Sequence, residues 1–150
     1  MIMERMSTNK TVLAIDDDYA ITELLSIILR SHGFDVLTAN NCEDGLQLIA
    51  EKSPDVLTLD LMMPNVNGLE MCRKIRGISK IPILVLSAIN DPAVVASVLD
   101  AGADDFIVKP VPSAVLIARL NMLLRRSSGT GALKRPANAT WLPGTAPLSQ

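Results

Sequence analysis

Chemically reactive side chains stand directly after four short apolar runs of this sequence. The residues that follow these runs are Asp16 with Asp17 and Asp18, Asp60, Ser87, and Lys109. In an open parallel sheet, ligands bind in the crevice beyond the carboxyl ends of the strands. If the runs are neighbouring strands, carboxylates, a hydroxyl and an ammonium group converge on one pocket. The sequence therefore predicts a site for a divalent cation, which prefers oxygen ligands, and for a phosphoryl group.

A strand-then-helix pattern repeats five times along the chain. Apolar runs alternate with segments whose apolar residues recur at helical spacing, and segment 19–32 shows this with Ile21, Leu24, Leu25, Ile28 and Leu29. Strands that are almost entirely apolar and separated by helices indicate a parallel sheet covered on both faces. Right-handed crossovers then give a three-layer, doubly wound domain. We expect a single α/β domain over residues 10–126.

Composition excludes several classes of function. The 16 acids nearly balance the 14 bases, which leaves no electrostatic footprint for nucleic acid or for an anionic membrane. No stretch approaches the roughly 18 apolar residues of a membrane span, and residues 1–10 lack the apolar segment of a signal peptide. Cys42 and Cys72 have no metal-ligand spacing, which fits buried thiols in a reducing compartment. We expect a cytoplasmic protein whose residues bind neither nucleic acid nor membrane.

The two ends of the chain differ in composition from the central part. We expect residues 1–9 to be a flexible N-terminal extension and residues 127–150 a flexible linker or tail. The second segment opens with Ser127–Gly131, contains three prolines without periodicity and carries no acid. It also holds Trp141, the only tryptophan, which is open to interpretation as an anchor or as the opening of a second domain.

Four segments together resemble the receiver domain of two-component response regulators. They are Val12–Asp18, Pro54–Glu70, Pro82–Ala88 and Gly102–Pro110, which are similar to the family's acidic pair, its phosphoacceptor segment and two further signatures. The resemblance covers about residues 10–126. It implies a flavodoxin-like (βα)5 fold with a five-stranded parallel sheet of order 2-1-3-4-5.

The resemblance implies a phosphoacceptor and a metal site. Asp60 would be the phosphoacceptor, and Asp16, Asp17 and Asp60 would hold Mg²⁺ together with the backbone carbonyl of Met62. Asp17 would bind the ion directly and Asp16 through water. The protein would not be an enzyme, apart from catalysing its own phosphorylation and slow dephosphorylation.

The resemblance also implies contacts to the phosphoryl group and a switch. Lys109 would pair with one phosphoryl oxygen, and the Ser87 hydroxyl and the Ala88 amide would bind another. Pro110 would follow a cis peptide bond. Ser87 and Phe106 would act as the switch, in which the hydroxyl moves inward and the aromatic ring fills the vacated space.

The implied partners are a sensor histidine kinase and a second copy of the chain. The segment Lys109–Arg126 resembles the OmpR/PhoB class, whose receivers pair through the fourth helix, fifth strand and fifth helix. Candidates for ion pairs in such a homodimer are Asp104, Asp105, Arg119 and Arg126. The output of that class is a C-terminal winged-helix DNA-binding domain, absent from these 150 residues, and we expect transcription to be controlled. The sequence is compatible with a piece of a longer regulator and with a stand-alone receiver.

Two other interpretations compete with this one. A haloacid-dehalogenase-like phosphatase is also doubly wound and would use Asp16 as nucleophile in an Asp-x-Asp-x-Thr/Val motif, but position 20 is Ala and Asp60 has no role there. A degenerate receiver that only binds partners is the third, and the intact acidic set argues against it. We assign Asp18 to capping of the helix that begins near Tyr19.

Overall fold

Five strands and five helices alternate in the computed structural model, which describes residues 9–60 and 68–127. The strands are β1 (Thr11–Ile15), β2 (Asp35–Ala39), β3 (Val56–Asp60), β4 (Ile83–Ser87) and β5 (Asp105–Val108). The helices are α1 (Tyr19–Ser31), α2 (Cys42–Lys52), α3 (Gly68–Ile78), α4 (Pro92–Asp100) and α5 (Ser113–Ser127). None of the described helices is both long enough and apolar enough to cross a membrane.

The strands form one parallel sheet in the order β2-β1-β3-β4-β5, which confirms the predicted topology. This sheet separates two apolar cores. Leu13 of β1 belongs to the core that contains Met71 of α3, whereas its neighbour Val12 belongs to the core that contains Leu29 of α1 and Leu120 of α5. Because successive side chains of a strand point to opposite faces, strands covered on both sides have to be apolar throughout.

Helix α1 approaches the sheet with most of the predicted apolar stripe, since Leu29 is buried and Ile21, Leu25 and Ile28 are partly buried, but Leu24 is an exception. Thr22, Ser26 and Leu29 are its buried residues, whereas Leu24, expected on the inner face, is 53% exposed. The Thr22 hydroxyl tolerates burial because it donates to the Tyr19 carbonyl at 3.0 Å and accepts from Asn40 at 3.1 Å. Two small hydroxyl residues thus face the sheet, and the larger Leu24 is turned outward.

The starts of three helices follow from capping residues in the sequence. Asp18, Asn41 and Asp91 precede α1, α2 and α4, and each side chain accepts a hydrogen bond from a backbone amide of the first turn. The assignment of Asp18 as a cap is confirmed. Gly33 follows α1 with a φ of 91°, a conformation that glycine adopts without strain.

Two helical glycines offer a matched test of the packing of α2 against β1. A Cβ at Gly45 of α2 would lie 2.5 Å from Cδ1 of the buried Ile15, whereas a Cβ at Gly77 of α3 would meet nothing within 4 Å. Alanine is favoured over glycine by about 1 kcal/mol in a helix interior, so we expect Gly77→Ala to raise the free energy of unfolding by up to that amount. We expect Gly45→Ala to lower it by about 1–3 kcal/mol through overpacking. Urea denaturation measures both, and a stabilised Gly45→Ala variant would contradict the tight contact.

Candidate functional site

The reactive residues lie together at the carboxyl edge of the sheet. Strands β3 and β4 each run one residue further than predicted, so that Asp60 and Ser87 are the last residues of these strands. Asp16 follows β1 and Lys109 follows β5. The register of β1 on β3 brings Asp16 beside Asp60, and the Lys109 amide donates to the Ser87 carbonyl at 2.8 Å. Parallel pairing alone therefore gathers these side chains at one edge.

Three carboxylates form a cluster at this edge. Ligand oxygens of Asp16, Asp17 and Asp60 lie within 4.8 Å of one another, with Asp16 and Asp60 buried and Asp17 exposed. Among the residues that the structure describes, this is the one set of three acidic, histidine or cysteine side chains spaced for a metal ion. Met62, whose carbonyl was expected to complete the ligands, lies outside the described residues.

The cluster fits a small divalent cation. Mg²⁺ binds oxygen ligands at about 2.1 Å, so two of its ligand atoms stand at most about 4.2 Å apart. The separation of up to 4.8 Å is slightly larger, and side-chain shifts of about half an ångström close it. The donor set, which consists only of carboxylate oxygens, is also the one that this hard cation prefers.

Lys109 stands between two of the carboxylates without a short contact to either. Its Nζ lies 3.6 Å from Asp16 Oδ2 and 3.9 Å from Asp60 Oδ1. Direct hydrogen bonds between an ammonium and a carboxylate are about 2.7–2.9 Å long. The ammonium group thus reduces the charge of the cluster, and with 33% of its side chain exposed it can also contact a further anion. The peptide bond between Lys109 and Pro110 is cis.

Burial raises the pKa of Asp16 from 3.8 to about 6. The backbone amide of Asp18, which donates to Asp16 Oδ1 at 2.9 Å, acts in the opposite direction. The negative charge of Asp60 raises this pKa further, and the positive charge of Lys109 lowers it. The protein surroundings thus leave negative charge at Asp16 incompletely compensated, which favours a bound cation.

Asn40 belongs to this site, although its role was not predicted. It directly follows β2, and its Nδ2 donates to the backbone carbonyl of Asp16 at 2.8 Å and to Thr22 Oγ1 at 3.1 Å. The Asp16 amide in turn donates to the carbonyl of Ala39 at 3.1 Å. The strand-end rule that located the acids applies equally to β2 and would have located Asn40.

The residues expected to form a switch lie on β4 and β5. Ser87 is fully buried, and its hydroxyl accepts a hydrogen bond from the Ile89 amide at 3.0 Å. Ala88, the next residue, is exposed. Phe106 is half-buried and packs against the core that contains Val85, its register partner on β4. Ser87 and Phe106 therefore occupy adjacent strands.

Most of the charged residues expected at a dimer interface are paired within the chain. Arg119 of α5 contacts Asp105 at 2.7 Å, and Arg76 of α3 contacts Asp104 at 2.7 Å. Arg126 is exposed in the last turn of α5. Asp104 stands before β5, at the edge of the sheet opposite to the acidic cluster. The structure thus places the acidic candidates at the start of β5 and the basic candidates in the middle and the last turn of α5.

Comparison with known proteins gives a family match over most of the described residues. The family model of the response regulator receiver domain matches residues 12–121. The transcriptional regulatory protein AfsQ1 of Streptomyces coelicolor is 46% identical over 116 residues, which are 77% of this chain and 52% of that protein. The DNA-binding response regulator MtrA of Mycobacterium tuberculosis is 40% identical over 116 residues, 77% of this chain and 51% of that protein. The chain thus spans about half the length of these curated relatives.

Solved structures show the same fold. The BeF3-activated N-terminal receiver domain of Klebsiella pneumoniae RstA matches with a TM-score of 0.73 at 33% identity, over 77% of this chain and 99% of that one. A two-component response regulator from Clostridium difficile matches with a TM-score of 0.77 at 28% identity, over 81% of this chain and all of that one.

These matches decide between the interpretations of the sequence. A haloacid-dehalogenase-like phosphatase with Asp16 as nucleophile is not supported, because the family match includes Asp60, which that interpretation left without a role. Of the two curated relatives, AfsQ1 is a transcriptional regulatory protein and MtrA a DNA-binding response regulator. With the receiver fold, the acidic cluster and a family match over residues 12–121 all present, the chain belongs to the response regulator receiver domain family of two-component systems.

Proposed function

We propose that Asp60 accepts a phosphoryl group from a sensor histidine kinase. The observation that carries this proposal is the position of Asp60, buried within the acidic cluster and 3.9 Å from the Lys109 ammonium group. Attack by an Asp60 oxygen on the phosphorus would form a mixed anhydride and release the donor group. Such a transfer requires a positioned nucleophile and neutralisation of the charge on the phosphoryl oxygens. Lys109 supplies one positive charge for that purpose.

Ser87 and Ala88 would bind a second phosphoryl oxygen. The Ser87 hydroxyl uses a lone pair to accept from the Ile89 amide, so its own hydrogen can donate to an incoming oxygen. The Ala88 amide belongs to the exposed residue directly after β4, on the same edge as Lys109. Both groups would act as hydrogen-bond donors to the phosphoryl oxygen.

Mg²⁺ is the cofactor that the donor set supports. Asp16, Asp17 and Asp60 would hold it, and the Met62 carbonyl would complete the set of ligands that the protein supplies. When bound, the ion supplies positive charge next to the phosphoryl oxygens. Asp16 and Asp17 would thus position the cofactor, while Asp60 serves both the ion and the transferred group.

The proposed output is transcription control through the surface formed by α4, β5 and α5. The relatives named above are a transcriptional regulatory protein and a DNA-binding response regulator, and the matched 116 residues are 52% and 51% of their lengths. We propose that residues 10–126 form the receiver, that 127–150 form a linker or tail, and that a C-terminal DNA-binding domain receives the signal. The role implies a cytoplasmic location.

Phosphorylation is expected at Asp60 alone when the protein is incubated with acetyl phosphate and Mg²⁺. Asp60→Asn removes the nucleophile and is expected to abolish labelling, and Asp17→Asn is expected to slow it at least tenfold by weakening the metal site. Asp18→Asn is the matched control, since Asn caps a helix as well as Asp does and Asp18 stands outside the cluster. Phosphopeptide mapping and labelling rates are the measurements.

Label on Asp16 or on His32 would contradict this assignment. Equal loss of labelling in Asp18→Asn and Asp17→Asn would also contradict it. Removal of any nearby negative charge would then be enough to slow phosphorylation, whether or not the residue belongs to the metal site.

Beryllium fluoride with Mg²⁺ is expected to shift the Ser87 hydroxyl toward the phosphoryl site and Phe106 into the vacated space. When the Ser87 hydroxyl moves away from the Ile89 amide, space opens beside β5. Burial of the half-exposed Phe106 ring in that space is favoured by about 25 cal/mol per Å² of apolar area. Amide spectra are expected to change at Ile89 and across α4, β5 and α5. The Ser87→Ala variant is expected to retain the spectral changes near Asp17 and to lose those across α4, β5 and α5. An unchanged α4–β5–α5 surface at saturation would refute the switch.

We further propose that the activated receiver forms a symmetric dimer through α4, β5 and α5, with an apolar centre. Three apolar side chains stand exposed on these elements: Leu99 is 42% exposed, Val108 36% and Val115 37%. Asp105 and Arg119, with Asp104 and Arg126, would lie around them. A two-fold axis lets one such patch serve both subunits.

Val115→Glu is expected to weaken this dimer at least tenfold, because a two-fold axis brings two like charges together. Ile78→Glu is the matched control, since Ile78 is 56% exposed on α3, outside the proposed interface. Sedimentation of the beryllium fluoride form gives the dissociation constants. A monomer at high concentration, or equal weakening by both substitutions, would exclude this interface.

A further inference from the structure

A cleft of about 390 Å³ lies at the edge of the sheet opposite to the acidic cluster. Its polar lining consists of two fixed positive charges, an imidazole and two carboxamides, contributed by Lys10, Arg125, His32, Asn9 and Asn121. No carboxylate of the described residues belongs to the lining. We propose that this cleft is a binding site for a small oxyanion, a ligand that carries a phosphate or carboxylate group.

The cleft is separate from the phosphoryl site. Lys10 precedes β1 and Asp16 follows it, and a strand of five residues spans about 17 Å. Strand β1 is buried except at Thr11, so the sheet itself separates the two sites. An anion in the cleft therefore leaves the Mg²⁺ ligands unobstructed.

Several chain segments that are distant in sequence build the cleft. Lys10 stands at the start of β1, His32 caps the end of α1, and Arg125 lies in the last turn of α5. The buried side chains of Phe34 and Leu124 supply an apolar base. Ligand sites commonly combine such an apolar base with a few convergent polar groups.

The basic residues are not explained by helix capping alone. Basic side chains do favour helix C-termini, and both α1 and α5 end here. The last carbonyls of α1, however, already accept from the amides of His32, Gly33 and Phe34. Lys10 belongs to no helix. Capping of the two helix ends therefore does not account for all the positive charges of the cleft.

The ring of His32 is fixed beside the cleft. Its Nδ1 lies 2.9 Å from the Ile28 carbonyl, which can only accept, so the hydrogen of that contact is on Nδ1. The charged donors to an oxyanion are therefore the Lys10 ammonium group and the Arg125 guanidinium group.

A ligand that contacts Lys10, His32 and Arg125 together would hold the last turn of α5 against β1 and α1. The chain leaves the described domain directly after this turn. Given the proposed function, which includes α5 in the output surface, an oxyanion would thus stiffen the point from which the signal is passed on.

Amide spectra of the full chain, without Mg²⁺ or phosphodonor, test the site independently of phosphorylation. Sodium phosphate and sodium citrate are titrated separately against sodium chloride of equal ionic strength, which separates phosphate from carboxylate recognition. Saturable shifts at Lys10, Gly33 and Leu124 in either titration are expected, together with slower hydrogen exchange in the last turn of α5. Shifts confined to the acidic edge, or none beyond those of chloride, would overturn the proposal.

Charge-neutral variants locate the binding. Lys10→Gln and Arg125→Gln are each expected to weaken it about tenfold, the value of one hydrogen bond to a charged group. Lys80→Gln is the matched control, because Lys80 is an exposed lysine before β4 that lies outside the cleft. Preserved dispersion of the free spectra shows that the variants are folded. Equal weakening by Lys80→Gln would show a diffuse charge effect and exclude the site.

Discussion

Burial of two of three carboxylates held within 4.8 Å, together with the repulsion among them, is the constraint on which the site depends. Asp16 and Asp60 are buried, so water screens their charges poorly, and burial raises the pKa of Asp16 to about 6. A raised pKa means that Asp16 contributes stability that is present in full below its unfolded value of 3.8 and is lost as the pH rises through 6. At neutral pH the fold therefore holds this charge at a cost, and Lys109 offsets part of it. A divalent cation would offset more, which explains why such a cluster is suited to Mg²⁺.

The sheet can sustain this repulsion because its central strands are packed on both sides. All residues of β3 and β4 are buried, and apolar side chains fill both faces. Asp60 and Ser87 are the last residues of these strands and are fixed by ladder hydrogen bonds rather than by a loop. The positions of Asp60 and Ser87 therefore follow from strand register rather than from the conformation of a loop.

Sequence reasoning succeeded where a residue's environment follows from its immediate neighbours. Uninterrupted apolar runs predicted buried strands, and the acids at their ends predicted the cluster. It was wrong about one predicted residue of the inner face of α1, since Leu24 is exposed while Thr22 and Ser26 are buried. Burial of Thr22 depends on a hydrogen bond from Asn40, which lies on another element. Such a contact is set by tertiary packing, which the periodicity of a single helix does not contain.

Asp104 and Asp105, the two adjacent acids at the start of β5, also have environments that tertiary packing decides. They are equivalent in sequence, but Asp104 joins a network in which Arg76 also donates to the carbonyls of Gly102 at 3.0 Å and Ile81 at 2.6 Å. That network ties α3 to the starts of β4 and β5, so Asp104 contributes to the fold of one subunit.

Asp105 is different, because its ion pair is with Arg119 of α5. The Arg119 side chain is 42% exposed, and exposed ion pairs contribute about 0–1 kcal/mol. Exchange of this pair for an equivalent one across a two-fold axis would therefore cost little. Removal of Asp104 from its network, in contrast, would leave the amide of the buried Ile83 without its acceptor. Of the two neighbouring acids, Asp105 is thus the one that would change partners at lower cost in the proposed dimer.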